Sequence, residues 1–167
     1  MATLPQLIEE DIQNLNDILR DFIAKADAIA ALIIDKGGFL ITYQGETEDL
    51  DLTTIGALSS GAFLANQTIA GLVHETNFNS IYQQGENSSL LVVNVDEHCL
   101  LVILFSSAVG AVKYFAAGAV PKIARQLQAA QERAPGQGLD LSLLNVANTE
   151  DVFRKKKPSG KRPRADK

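Results

Sequence analysis

Apolar residues recur at intervals of one, three and four along the first 22 positions of the chain. They share one face of a helix about five turns long. These residues are Leu4, Leu7, Ile8, Ile12, Leu15, Ile18, Leu19 and Phe22. Glu9, Glu10, Asp11, Asn14, Asp17 and Asp21 fill the opposite side. The pattern predicts a helix that packs its apolar face on its own domain and exposes its acidic face to water.

Two strand patterns follow this helix. The first is AIAALIID, residues 28–35, and the second is FLITYQ, residues 39–44. Lys36-Gly37-Gly38 lies between them, and glycine enters the positive-φ region at little cost. We therefore expect a β-hairpin, followed by an acidic loop over residues 45–52.

A second helix is predicted from Thr53 or Thr54, either of which can cap it. Its regularly spaced apolar residues, which we expect to face inward, are Ile55, Leu58, Ala62, Ala65, Ile69 and Leu72. The remaining face carries Ser59, Ser60, Phe63, Asn66, Gln67 and Ala70. Charged residues are absent between Asp51 and Glu75, so this outer face is easily desolvated and suits an interface. The alternative is a helix buried within a larger core.

Three short strand patterns come next, NSIYQQ, SLLVVNV and HCLLVILF. Their connections are so short that each strand must pair antiparallel with its neighbour. The last two are almost wholly apolar, which predicts helices over both of their faces.

A long helical pattern over residues 106–133 contains Pro121, which predicts either a kink or two helices with Pro121 near the start of the second.

Length and charge support one acidic domain with a basic tail. Residues 1–150 hold seven Lys/Arg and 18 Asp/Glu, whereas residues 151–167 hold eight Lys/Arg and two Asp. The longest apolar run is the seven residues from Cys99 to Phe105, far short of the roughly 20 that cross a bilayer. The N-terminus lacks the basic flank of a signal peptide. We expect a soluble, cytoplasmic protein.

The residues that could carry chemistry form no recognisable site. His98 and Cys99 are adjacent on a predicted strand and so point to opposite faces. With His74 as the second histidine and one cysteine, there is no zinc set. The chain also lacks a GxxxxGK[ST] phosphate loop. The sequence predicts a binding protein rather than an enzyme, with no metal and no cofactor.

The C-terminal part has two sections. Apolar residues in 139–153 predict a docking segment, with Leu141, Leu144, Val152 and Phe153 as its contacts. The segment is either a strap over its own domain or a peptide for a partner. The basic run from Arg154 to Arg164 is disordered by composition. It is a solubilising tail, or it meets an acidic protein, the acidic body of its own dimer, nucleic acid or an anionic lipid surface. No aromatic residue follows Phe153 to offer base stacking.

Several short motifs occur in a specific order. They are Ile34-Asp35-Lys36-Gly37-Gly38, Leu58-Ser59-Ser60-Gly61, Ala65, Ile69-Ala70, Glu75, Phe78, Gly85 and Val109-Gly110-Ala111-Val112-Lys113. With the order of the elements, they resemble the Roadblock (dynein light chain) family, and within it the bacterial MglB branch. The resemblance covers about residues 4 to 133.

The resemblance implies an α+β fold, a Roadblock/profilin-like sandwich. A five-stranded antiparallel sheet in the order 2-1-5-4-3 would carry the second helix on one face and the first and third helices on the other. It also implies a domain over residues 1–134, a linker with the apolar docking segment over 135–153, and a disordered tail over 154–167.

The resemblance further implies a homodimer and a small Ras-like GTPase of the MglA type as partner. The dimer would pair Ile81, Tyr82, Gln83 and Gln84 with their copies and bring Gly61, Leu64 and Thr68 of the two second helices together. The GTPase would contact Gly56, Ser59, Ser60, Phe63, Asn66, Gln67 and Ala70. The protein would activate hydrolysis or tune exchange in polarity control, without an inserted arginine. The alternatives are an assembly scaffold or adaptor that leaves nucleotide turnover unchanged, and a PAS- or GAF-like ligand sensor.

Overall fold

The computed structural model describes residues 5–133, which form three helices around one sheet. In chain order the elements are α1 (Glu9–Ala26), β1 (Ala28–Asp35), β2 (Leu40–Gly45), α2 (Leu52–Leu72), β3 (Ser80–Gln84), β4 (Ser89–Asn94), β5 (Cys99–Phe105) and α3 (Val109–Gln131). The sheet is antiparallel with the order β2-β1-β5-β4-β3. The predicted fold class and strand order are confirmed.

Side chains from alternate positions of the central strands build two separate cores, because successive residues of a strand point to opposite faces. On one face, Ile33 and Leu101 pack with Leu19 of α1 and Ile123 of α3. On the other face, Leu32, Ile34 and Val102 pack with Phe63 of α2. The sheet is therefore covered on both sides, by one helix and by two, as predicted.

Helix α1 begins at Glu9, whereas the apolar pattern of the sequence starts at Leu4. The backbone N–H of Ile8 donates a hydrogen bond of 2.9 Å to the carboxylate of Asp11, which satisfies one of the N–H groups left unpaired at a helix start. Asp11 was predicted on the solvated acidic face, and this is wrong because only 1% of the residue is exposed. Its carboxylate accepts two hydrogen bonds from the guanidinium of Arg133, at 2.7 and 2.9 Å.

Helix α3 continues through Pro121, so the alternative of two helices is wrong. A proline inside a helix lacks the N–H that would bond the carbonyl of residue 117. Val112 and Ala116 are buried before the proline, and Ile123 and Leu127 are buried after it. Packing against the sheet on both sides of Pro121 holds the helix together across the missing hydrogen bond.

Among the described residues, none of the three helices has the length and apolar character needed to cross a membrane. The segments at 135–153 and 154–167, with the docking residues Leu141, Leu144, Val152 and Phe153, lie outside the described residues.

Candidate protein-binding surface

The predicted orientation of α2 is wrong. The seven residues assigned to the GTPase contact face the sheet of their own chain instead of the outside. Gly56, Ser59, Ser60, Phe63 and Ala70 are buried. Asn66 and Gln67 are half-buried, and the side-chain amide of Gln67 already donates a hydrogen bond of 2.7 Å to the Phe78 carbonyl. In this protomer these side chains are not presented to a partner.

Small residues explain why this face lies inward. A Cβ atom on Gly56 would lie 3.2 Å from the carbonyl oxygen of Gly38 and 3.2 Å from a methyl group of Ile34, which is closer than most Cβ contacts. Gly38 has a φ of +92°, and a Cβ there would lie 2.8 Å from the Cα of Ala57. The β1–β2 turn and α2 can therefore approach closely only because both positions are glycine.

The opposite side of α2 is exposed and apolar. It carries four of the residues predicted to face inward, Leu58 (69% exposed), Ala65, Ile69 and Leu72 (76% exposed), together with Leu64. The other two predicted inward residues, Ile55 and Ala62, are half-buried, and Ile55 packs on the core of the α2 side as predicted. No residue of α2 is charged. We call Leu58, Leu64, Ile69 and Leu72 the apolar stripe. Its large side chains lose water at little electrostatic cost, which is the property of a surface that another protein covers.

Strand β3 forms one border of the described sheet, since it pairs only with β4. The N–H of Asn94 donates to the Asn79 carbonyl, and the N–H of Gly85 donates to the Ser88 carbonyl. Because hydrogen bonding alternates along an antiparallel pair, the backbone groups of Ser80, Tyr82 and Gln84 point away from β4. This edge can accept another strand.

The side chains along β3 are divided between the two layers. Tyr82 stacks on Phe105 in the α1–α3 layer, with ring centroids 6.1 Å apart, and the ammonium of Lys113 lies 5.9 Å from the Tyr82 ring centroid. Ile81 and Gln83 face the α2 side. Of the residues predicted for the dimer contact, Gly61, Leu64, Thr68, Tyr82, Gln83 and Gln84 are exposed and Ile81 is half-buried. The contact itself stays a prediction.

An apolar groove of about 480 Å³ lies between α2 and this edge of the sheet. Ile55, Leu58 and Ala62 of α2 form one wall, and Ile81 and Gln83 of β3 form the other. The groove was not predicted, because Ile55, Leu58 and Ala62 were all expected to lie fully against the sheet. The exposed side of α2, the groove and the β3 edge together make one continuous surface.

Two ionisable groups where β1 ends and β5 begins, Lys36 and Cys99, have shifted pKa values, and burial is the main cause of both shifts. Burial, followed by the nearby carboxylates of Asp96 and Asp35, raises the pKa of the Cys99 thiol to about 12. Burial also lowers the pKa of Lys36. Within residues 5–133, no hydrogen bond or ion pair joins His98 to Cys99, and no group of three His, Cys, Asp or Glu side chains could hold a metal ion.

Comparisons with known proteins agree with this geometry. The model of the Roadblock/LC7 domain family matches residues 15–105. The gliding protein MglB from Thermus thermophilus is 27% identical, with a TM-score of 0.71 over 77% of this chain and 99% of that chain. A structure described as MglB with a tetrameric arrangement is also 27% identical, with a TM-score of 0.72 over 78% of this chain and 99% of the other.

Myxococcus xanthus MglB is 23% identical, with a TM-score of 0.71 over 78% of this chain and 99% of that chain, and supports the fold alone. No curated protein sequence matches this chain.

Proposed function

Because the chain belongs to the Roadblock/LC7 domain family, we propose that it acts as a homodimer that binds a small Ras-like GTPase of the MglA type and regulates its nucleotide turnover. The 27% identity to MglB from Thermus thermophilus over nearly all of that chain supports this assignment. Such a partner also leads us to expect the protein in the cytoplasm, where small GTPases act.

The observation that carries the proposal is the apolar stripe. It replaces the buried residues around Phe63 as the GTPase-binding surface. A surface helix normally carries charges that keep it hydrated, whereas α2 carries none and exposes three-quarters of Leu72. Large apolar side chains in the centre of a patch supply most of the binding energy when a partner excludes water from them.

The β3 edge supports the homodimer. Two copies that pair through Ser80, Tyr82 and Gln84 continue the sheet across a two-fold axis and satisfy backbone groups that otherwise bond only to water. The groove beside α2 then opens toward the second copy, so Ile55 and Ala62 join Gly61 and Thr68 as contacts that we assign to the dimer. Leu58 and Leu64 lie where the dimer contact borders the apolar stripe, which leaves Ile69 and Leu72 of the stripe to the GTPase.

The absence of arginine from α2 bears on the mechanism. Some GTPase activators insert an arginine that stabilises the charge developing on the transferred phosphoryl group. A helix with no charged side chain cannot do this. The protein would act by binding one conformation of the GTPase more tightly than the other, which shifts the population of the GTPase toward its active arrangement.

Size-exclusion chromatography with the GTPase tests the proposal. The purified full chain is mixed with an MglA-type GTPase loaded with GDP or with a non-hydrolysable GTP analogue. We expect co-elution in at least one nucleotide state and a changed rate of single-turnover GTP hydrolysis or of nucleotide exchange. Co-elution in neither state would overturn the proposal. A complex that leaves both rates unchanged would identify a scaffold instead of a regulator.

A further inference from the structure

The outer surface of the α1–α3 layer lies on the side of the sheet away from α2. The two helices lie side by side in opposite directions, since Asp11 near the start of α1 pairs with Arg133 just after the end of α3. Helix α3 is basic, whereas the exposed side of α1 is mainly acidic. Helix α3 contains Lys113, Lys122 and Arg125 and no acidic residue, whereas the exposed side of α1 has more carboxylates than basic groups.

A groove of about 390 Å³ runs between these helices. Ile18, Asp21 and Lys25 of α1 line one side, and Tyr114, Gly118 and Lys122 of α3 line the other. Tyr114 is 75% exposed at the groove. A Cβ atom on Gly118 would meet no atom within 4 Å, so the groove wall is open there to another backbone.

No ion pair within residues 5–133 joins a basic group of α3 to a carboxylate. Within α1, Asp17 pairs with Arg20 at 2.5 Å and Asp21 pairs with Lys25 at 2.7 Å. None of the ion pairs among the described residues includes Lys122 or Arg125. Asp21 and Lys122 both line the groove. The pairing of Asp11 with Arg133 sets them at about the same level along the two antiparallel helices, because each lies about three turns from that pair.

We propose that this surface binds the same surface of a second copy of the chain, around a two-fold axis that runs along the groove parallel to α1 and α3. A half-turn about this axis places α1 of each copy against α3 of the other. Every residue keeps its position along the helix direction. Asp21 then faces Lys122 of the second copy, and Asp17 faces Arg125 of the second copy. An axis across the helices would instead put acidic α1 on acidic α1.

Shape favours the same arrangement. Helices pack with their axes about 8–10 Å apart, and small residues at the crossing allow the closest approach. Ala117 and Gly118 lie in the groove, close to the proposed axis. The Ala117 carbonyl receives no N–H from Pro121, so it can accept a hydrogen bond from the second copy. Tyr114 supplies an apolar ring with a polar hydroxyl.

This contact goes beyond the proposed function and does not depend on it. It uses the face of the sheet opposite α2, so it leaves the apolar stripe and the β3 edge available. If homodimers form through β3, the α1–α3 contact links them into larger particles as concentration rises. If they do not, the same contact gives a dimer of its own.

Complementation between charge-reversal variants of the full chain tests this proposal. One variant carries Asp17→Lys and Asp21→Lys, and the other carries Lys122→Glu and Arg125→Glu. Alone, each variant sets like charges against each other in both halves of the contact. In a mixture, every facing pair is attractive. Analytical ultracentrifugation at low ionic strength measures the self-association, and circular dichroism verifies the fold.

We expect each variant alone to associate at least about tenfold more weakly than the unaltered chain, and the equimolar mixture to recover most of that loss. Added salt should weaken the contact because exposed charges are screened. Tyr114→Ser, which changes no charge, should also weaken it. Unchanged association in both variants, or a mixture that stays as weak as its components, would overturn the proposal. Binding of the GTPase should not change in any of these proteins, so the two proposals fail separately.

Discussion

The hydroxyl of Ser60 donates a hydrogen bond of 2.5 Å to the backbone carbonyl of Lys36 and so ties the middle of α2 to the β1–β2 turn. One helical turn earlier, Gly56 lies against the same turn. These contacts fix which face of α2 meets the sheet, and thereby which face is left to a partner.

Enlarging Gly56 should destabilise the protein. Gly56→Val places methyl groups where the Gly38 carbonyl and Ile34 already crowd a Cβ, and overpacking of this kind costs about 1–3 kcal/mol. At Gly71 a Cβ would meet no atom within 4 Å, so Gly71→Val should change the free energy of unfolding by less than about 0.5 kcal/mol. Urea denaturation of both variants checks this difference. Equal stability of the two would show that α2 does not pack on the turn.

Replacing Phe63 by aspartate should unfold the domain instead of selectively blocking a partner. Phe63 is 2% exposed and packs with Leu32, Ile34 and Val102. Removal of a buried phenylalanine side chain costs about 3–5 kcal/mol, and a buried charge adds to that cost. Thermal unfolding followed by circular dichroism measures the loss, with Phe63→Leu as the milder control. A fully folded, stable Phe63→Asp protein would contradict the inward orientation of α2.

The ion pair between Asp11 and Arg133 should make stability depend on pH. Hydrogen bonds from Arg133 are the main cause of the lowered pKa of Asp11. Arg133→Ala leaves a buried carboxylate with fewer partners and should cost about 1.5–3 kcal/mol at neutral pH. Asp17→Asn removes a member of an exposed pair and should cost less than about 1 kcal/mol.

The sign of the pH effect follows from the direction of the shift. A carboxyl group whose pKa is lower in the folded state contributes stability above its ordinary value, here 3.8, and that contribution is lost as the pH falls through the folded pKa. The difference between the unaltered protein and Arg133→Ala should therefore be constant near neutral pH and shrink below about pH 4. Urea denaturation over a pH series checks this. A difference that stays the same into strong acid would rule out the charged pair as its source.

A proline at position 82 should abolish dimerisation through β3. The backbone N–H of Tyr82 points away from β4, so Tyr82→Pro removes a donor to the second copy without removing a bond to β4. Tyr82→Ala loses the same stacking on Phe105 but keeps the N–H, which makes it the matched control. Light scattering at high ionic strength, which screens the charges of the α1–α3 contact, should find a monomer for the proline variant and a dimer for the alanine variant at the same concentration. Two dimers of equal strength would show that the interface lies elsewhere.

The pairing of consecutive strands was predictable because local signals determined it. Lys36-Gly37-Gly38 and the short connections at 85–87 and 96–97 leave antiparallel pairing as the available arrangement for the strands that they join. The order of the sheet came from the family resemblance, which rests on motifs such as Leu58-Ser59-Ser60-Gly61.

The orientation of α2 was not predictable by the same reasoning. Periodicity finds an apolar stripe but cannot tell whether that stripe meets its own sheet or another protein. Here the small residues Gly56, Ser59 and Ser60 allow close packing on the sheet, and the larger Leu58 and Leu72 are left outside. A face rich in Gly and Ser on a helix without charge was the available signal.

The burial of Asp11 was missed because its partner is distant in sequence. Arg133 follows the last helix, 122 residues later, and no local pattern connects the two positions. The continuity of α3 through Pro121 has a similar origin, since the sheet residues that hold both halves of the helix come from other parts of the chain.

Binding of the GTPase by an apolar-stripe variant tests the central claim most directly. Leu72→Asp puts a charge on a side chain that is 76% exposed, so the fold should persist while the cost of desolvating the stripe rises. Gln13→Asp places the same charge on the exposed side of α1 and serves as the control. Isothermal titration against an MglA-type GTPase loaded with a GTP analogue should find Leu72→Asp at least about tenfold weaker than the unaltered chain, with Gln13→Asp within about twofold. Equal affinity of all three proteins would contradict the assignment of the apolar stripe as the surface on which this chain binds its GTPase.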